Sequence, residues 1–116
     1  MAVYQISLMK IKPGRMQDFI DHQEAVREIN ERFGLKSRRL IRAGLAGPDV
    51  GLVQIISEFE DVVAHATWTH ERAKDPEYKE WRKSTPGADP DSPGTLLSTA
   101  LYSDIVPPHY APSSES

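Results

Sequence analysis

Three side chains between positions 65 and 72 carry the sequence's clearest chemical signal. His65, Trp68 and Arg72 fall on one flank of a helix, at spacings of three and four residues. An imidazole can move a proton near neutral pH, and a guanidinium can hold a carboxylate or a phenolate-like anion. Tryptophan adds a broad apolar surface with one donor. The set suits a pocket wall, with His65 and Arg72 in catalytic roles and Trp68 against the ligand. The reading with the smaller demand is a subunit interface, where Trp and Arg are enriched. At ~100° per residue, Val62, Ala66 and Ala73 cluster elsewhere, with Val63 at their edge, and they are expected to face the core.

Further candidates lie around this flank. Tyr78 and Trp81 sit three apart on a short following helix. They are expected either to close over a pocket, with Tyr78 as an oxyanion partner, or to pin that helix to the sheet. His22 falls inside the apolar stripe of the first helix, as a ligand contact or a satisfied, partly buried imidazole. Gln23 and Asn30 flank that stripe and either bind a ligand or satisfy backbone groups. Lys36, Arg38 and Arg42 share one face of the second strand, as a basic ladder that either receives an acidic ligand or is a solvated strand face that discourages edge pairing. Arg39 points the other way among Leu35, Ile41 and Leu45, where it needs a partner, either Glu58 or a bound anion. Tyr4, beside Ile6 and Leu8 on the first strand, and Gln54, on a mixed face of the third, complete the ligand-binding candidates.

Several chemistries are not expected. His65 and His70 point ~140° apart on a helix and cannot chelate one ion, so no metal is expected. The chain has no cysteine, which removes disulfides and a thiolate nucleophile. It shows no glycine-rich phosphate loop and no nucleophile elbow. A net charge of −3 gives no broad attraction to nucleic acid or anionic lipid. No apolar run is long enough to span a bilayer, and the N-terminus opens directly into a strand pattern, so a cytoplasmic location is expected.

The elements that must position these residues follow from periodicity. Residues 2–11 alternate as a strand, with Tyr4, Ile6 and Leu8 on one side and Val3, Gln5, Ser7, Met9 and Ile11 on the other. Lys12-Pro13-Gly14-Arg15 is a turn. Residues 15–33 read as one helix whose apolar stripe is Met16, Phe19, Ile20, Val26, Ile29 and Phe33, ended by Gly34. Residues 35–46 and 51–59 read as strands joined by a turn at Gly47-Pro48-Asp49, and therefore as an antiparallel hairpin. Asp61 caps the second helix, and Asp75-Pro76 ends it and starts the third. Residues 84–94 are a breaker-rich loop, residues 95–106 a last strand, and 107–116 a tail expected not to fold on its own.

The order is strand, helix, strand, strand, helix pair, strand. It predicts one α+β domain over residues 1–106: a ferredoxin-like βαββαβ fold, a four-stranded antiparallel sheet with helices on one face. The other face carries either Tyr4, Ile6 and Leu8 or the mixed set Gln5, Ser7 and Met9. The third strand divides similarly: Leu52, Gln54, Ile56 and Glu58 oppose Val53, Ile55 and Phe59. A half-apolar open face of this kind is expected to be covered by a second copy, although an antiparallel sheet can also leave one face solvated.

The N-terminal strand with its Lys-Pro-Gly-Arg turn and amphipathic helix resembles the opening of dimeric α/β-barrel proteins. Residues 53–81, VQIISEFEDVVAHATWTHERAKDPEYKEW, with the Asp75-Pro76-Glu77-Tyr78 step, resemble the NIPSNAP-like branch; the antibiotic-biosynthesis monooxygenases are close in shape. The chain departs from the NIPSNAP pattern in its long 84–94 loop and in Ser57-Glu58-Phe59, which stands at a strand end expected to be tryptophan-rich. The resemblance implies a homodimer and a pocket between sheet and helices. It does not imply a reaction, because the superfold hosts many. Two functions follow as expectations: a cofactor-independent monooxygenase or isomerase on a small aromatic or polyketide-like substrate, or a non-catalytic ligand-binding or scaffolding protein.

Overall fold

The alternation of β1 (Val3–Ile11) decides the layering of the molecule. In the computed structural model, which describes residues 1–44, 51–85 and 87–105, Val3, Ser7 and Met9 are buried under helices, and Tyr4, Ile6 and Leu8 point to the opposite side. The helices are α1 (Met16–Ala25), α2 (Arg27–Arg32), α3 (Val62–Arg72) and α4 (Pro76–Arg82). The remaining strands are β2 (Ser37–Arg42), β3 (Val53–Phe59) and β4 (Gly94–Ser103). The sheet order is β2-β3-β1-β4 with every neighbour antiparallel, which is the ferredoxin-like arrangement.

Register assigns every strand residue to a face, because directly opposed residues share one. On the helix side lie Val3, Gln5, Ser7 and Met9 of β1, opposed by Phe59, Ser57, Ile55 and Val53 of β3. Arg38, Leu40 and Arg42 of β2 oppose Ser57, Ile55 and Val53, so they also face the helices. The open side carries Tyr4, Ile6 and Leu8 beside Glu58, Ile56 and Gln54, with Arg39 and Ile41 on one flank and Ala100 and Tyr102 on the other. Ile41 and Tyr102 are 38% and 52% exposed, so this face carries uncovered apolar surface in the single chain.

The helix spanning 15–33 is broken where the sequence shows no break. Val26, at φ −97° and ψ −2°, interrupts it between α1 and α2. The Trp81 indole N–H donates to the carbonyl of His22 at 2.8 Å, the oxygen Val26 would otherwise engage. The Val26 amide turns instead to Gln23 O at 3.4 Å. A side chain inserted into the i→i−4 ladder is a recognised cause of a kink. Gly34, at φ +100°, ends α2 in the left-handed region that the sequence reading assigned to it.

Both expected caps form. Asp61 Oδ1 accepts from the Ala64 amide at 2.8 Å, and Asp75 Oδ1 from the Tyr78 amide at 3.0 Å. The strands are shorter than periodicity implied: β2 spans Ser37–Arg42, β3 begins at Val53, β4 stops at Ser103, and β1 loses one residue at its start. The Gly47-Pro48-Asp49 turn, Leu45 and the tail 107–116 lie outside the described residues. A bulge in β4 pairs Leu8 with Ser98 and Met9 with Leu96, leaving Leu97 unopposed. No described helix is long and apolar enough to cross a membrane.

The core face of α3 is the opposite of the expected one. Val62 and Val63 are 58% and 68% exposed, whereas Trp68 is fully buried with Val3, Leu35 and Phe59. Helical periodicity gave the spacing of the two flanks correctly. The larger, more apolar surface of tryptophan took the interior over two valines and two alanines, since buried area sets the gain.

Candidate functional site

The space between the sheet and α3–α4 holds a cavity of about 260 Å³. Its floor is the helix face of the sheet: Gln5, Ser7 and Met9 from β1, Ile55 from β3, and Thr99 and Leu96 from β4. Its far wall is Arg72 of α3 with Tyr78, Trp81 and Arg82 of α4, and Arg38 and Gln23 close one side. The β4 bulge turns Leu96 into this wall, because an uninterrupted alternation would aim it at the open face.

The aromatic wall is fixed from behind. The His22 ring stacks on Trp81 with centroids 4.5 Å apart and an interplanar angle of 18°. The Ser84 hydroxyl donates to Trp81 O at 2.8 Å, so it must accept from His22 Nε2–H at 2.9 Å. Burial pushes the His22 imidazole below its ordinary pKa. Tyr78 is buried against Val26 and Ile29. Tyr78 and Trp81 therefore both pin α4 and face the cavity, two roles that the sequence set as alternatives.

His65 stands one layer behind the floor. Its Nε2 bonds Gln5 Oε1 at 2.9 Å, and its ring meets Phe59 edge-on at 4.9 Å. Burial, and then the nearby Arg72 charge, lower its pKa. It aims the Gln5 amide and does not line the cavity. Trp68 is likewise structural: its Nε1–H donates to Asn30 Oδ1 at 3.2 Å, and its face supports the Arg72 guanidinium at 3.3 Å from the ring centroid.

The two guanidiniums on the wall are the electrostatic core of the site. Arg38 Nε donates to Ser57 Oγ at 3.2 Å and its Nη1 to Gln23 Oε1 at 2.9 Å. Arg72 lies over Trp68 and over Tyr78, at 4.6 Å from the latter ring centroid, and its Nη1 reaches Asn30 Oδ1 at 3.5 Å. Both arginines are lowered to about 10, chiefly by burial and against an opposing contribution from Tyr78, with the Arg38 and Arg82 charges adding to the depression at Arg72. Among the described residues neither has a carboxylate within ion-pair distance.

The sequence-derived candidates therefore separate into three groups. Arg72, Tyr78 and Trp81 line the cavity, and His65, Trp68 and His22 support it. Arg39, Gln54 and Tyr4 lie on the opposite face of the sheet. Arg39 is exposed and does not pair with Glu58, which accepts from Ser37 and Lys36 at 3.3 and 3.5 Å. The solvated reading of the basic ladder is corrected at Arg38 alone: Lys36 and Arg42 are exposed, whereas Arg38 is half-buried in the cavity wall, and its signal was Leu40, an apolar residue of the same parity. Gln5, Thr99 and Leu96 had no distinguishing signal in the sequence.

No protein-family model matches the chain, and no curated protein is similar to it in sequence. Solved structures do match over nearly its whole length. A proposed antibiotic biosynthesis monooxygenase from Bordetella bronchiseptica superposes with TM-score 0.61 at 17% identity, covering 90% of this chain and 98% of that one. The fold is theirs. A NIPSNAP family protein of unknown function from Agrobacterium tumefaciens gives TM-score 0.61 at 13% identity, over 87% of this chain and 84% of that one. A NIPSNAP domain protein from Burkholderia xenovorans gives TM-score 0.61 at 17% identity, over 96% and 99%. At these identities the likeness concerns the fold alone.

Proposed function

We propose that this protein works as a homodimer that binds a small aromatic or polyketide-like molecule in the cavity between the sheet and α3–α4, in the cytoplasm, which its cysteine-free composition suits. The observation that carries this reading is the cavity's lining. Met9, Ile55, Leu96, Tyr78 and Trp81 supply apolar and aromatic surface, and a few polar groups converge on it, as in pockets built for small ligands. The second copy would cover the open sheet face around Ile6, Ile56 and Tyr102, whose apolar surface is uncovered in a single chain.

A cofactor-independent monooxygenase or isomerase is the second reading, and one observation favours it. Arg38 and Arg72 stand where they would stabilise an enolate or phenolate oxygen, the charge that such chemistry develops. His65 and His22, engaged with Gln5 and Ser84, would act on a ligand only through those partners.

Thr99→Trp tests the binding reading. Thr99 is exposed on the edge strand, and its side faces the cavity, so the indole fills the space at the cost of one hydrogen bond, to Ser7 Oγ at 3.0 Å. A panel of hydroxylated aromatics is expected to raise the melting temperature of the wild type and not of the variant. Equal shifts in both would place binding elsewhere. Oxygen uptake with the same panel separates turnover from binding.

A further inference from the structure

We propose that the cavity recognises its ligand by a carboxylate carried on a small ring, held between Arg38 and Arg72. This deepens the binding reading above and rests on it.

The argument starts from how the two arginines are held. A guanidinium withdrawn from water ordinarily requires a compensating negative charge. Here the polar atoms that hold them are neutral. Arg38 donates to an amide oxygen, Gln23 Oε1, and a hydroxyl, Ser57 Oγ. Arg72 reaches an amide oxygen, Asn30 Oδ1, and rests on the faces of Trp68 and Tyr78. Neutral acceptors fix the orientation of a cation and leave its charge uncompensated. A glutamate at 23 or an aspartate at 30 would have neutralised it. The remaining charged lining residue, Arg82, is also a cation, and among the described residues no Asp or Glu lines the cavity. Three positive groups thus converge on one cavity in a chain whose formal net charge is −3.

The rest of the lining sets the ligand's body. Met9, Ile55, Leu96 and the rings of Tyr78 and Trp81 favour an apolar, flat group. Gln5 and Thr99 add polar atoms on the floor. A planar oxyanion suits the forked guanidinium donors, and a volume of about 260 Å³ limits the ligand to a small ring system.

Calorimetric titration of the full chain at neutral pH with benzoate, its neutral isostere benzamide and inorganic phosphate tests this. Benzoate is expected to bind roughly tenfold or more tightly than benzamide, the size of one charge-assisted hydrogen bond. Arg38→Gln and Arg72→Gln should each lose that preference, while Arg42→Gln, outside the cavity, keeps it. Should either arginine variant fail to fold, Gln23→Glu serves instead: it adds a carboxylate against Arg38 and should abolish the preference without removing a buried group. Equal affinity for benzoate and benzamide would overturn the carboxylate assignment and leave the cavity reading standing. Binding of phosphate in place of benzoate would also overturn it. Binding of none of the three would remove the cavity reading, and this inference with it.

Discussion

Replacing Asn30 should expose how much of the site depends on one buried amide. Asn30 is fully buried, and its Oδ1 accepts from the Trp68 indole and the Arg72 guanidinium. Its Nδ2 has no partner among the described residues. The two incoming donors fix which way the amide faces, so a flip would not relieve that nitrogen. Asn30→Ala leaves the Trp68 N–H without an acceptor in the core, at about 1–3 kcal/mol, and takes the one side-chain hydrogen bond that Arg72 makes among the described residues. Allowing for the orphaned Nδ2 that disappears with the side chain, a net loss of about 1–2 kcal/mol follows. At about 4 °C per kcal/mol for a chain of this size, the melting temperature should fall by roughly 4–8 °C. Asn30→Asp keeps the acceptor, exchanges the orphaned donor for a second acceptor and gives Arg72 a charge partner; it should recover at least half of the loss. Guanidinium denaturation of the three proteins measures this. An alanine variant within about 0.5 kcal/mol of wild type, or an aspartate variant no better than alanine, would refute the role given to Asn30.

Four further outcomes are expected. Ile56→Glu places a charge at the centre of the open sheet face, opposite Ile6, and should turn a dimer into a monomer by light scattering; burial of one isoleucine per subunit at about 1.5–3 kcal/mol makes the dissociation constant at least a hundredfold weaker. His22 and His65 both have lowered pKa values, so the unfolded chain takes up their protons first; stability is full above about pH 6.5 and should fall as pH drops below it. Denaturation midpoints across that range should show the slope in the wild type and a flatter one in the double His→Gln variant. Trp81→Phe removes the indole bond to His22 O and should cost about 1 kcal/mol while speeding hydrogen exchange at Trp81's neighbours on α4. Asp75→Ala removes the α4 cap and the ion pair with Arg32 at 3.1 Å; a loss of about 1 kcal/mol in chemical denaturation is expected, and no loss would discount the cap.

The sequence by itself determined the order of elements, the two aspartate caps, the glycine stop after α2 and the antiparallel pairing. These depend on local spacing, turn chemistry and short connections, which a chain displays without its partners in space. It also grouped Arg72, Tyr78 and Trp81, which line one cavity, because aromatic and cationic side chains at helical spacing remain neighbours wherever the helix docks. Only the tertiary structure decided which flank of α3 is buried, since two flanks of similar width compete and the sheet took the one with the most area to bury. The break at Val26 came from Trp81, 55 residues away in sequence, reaching a carbonyl of another helix. Arg38 and Arg39 are adjacent, alike in type and opposite in parity, and pairing with β3 alone sent one beneath the helices and the other to the open face. Strand period is legible in sequence; which side the helices cover is a property of the assembled layers.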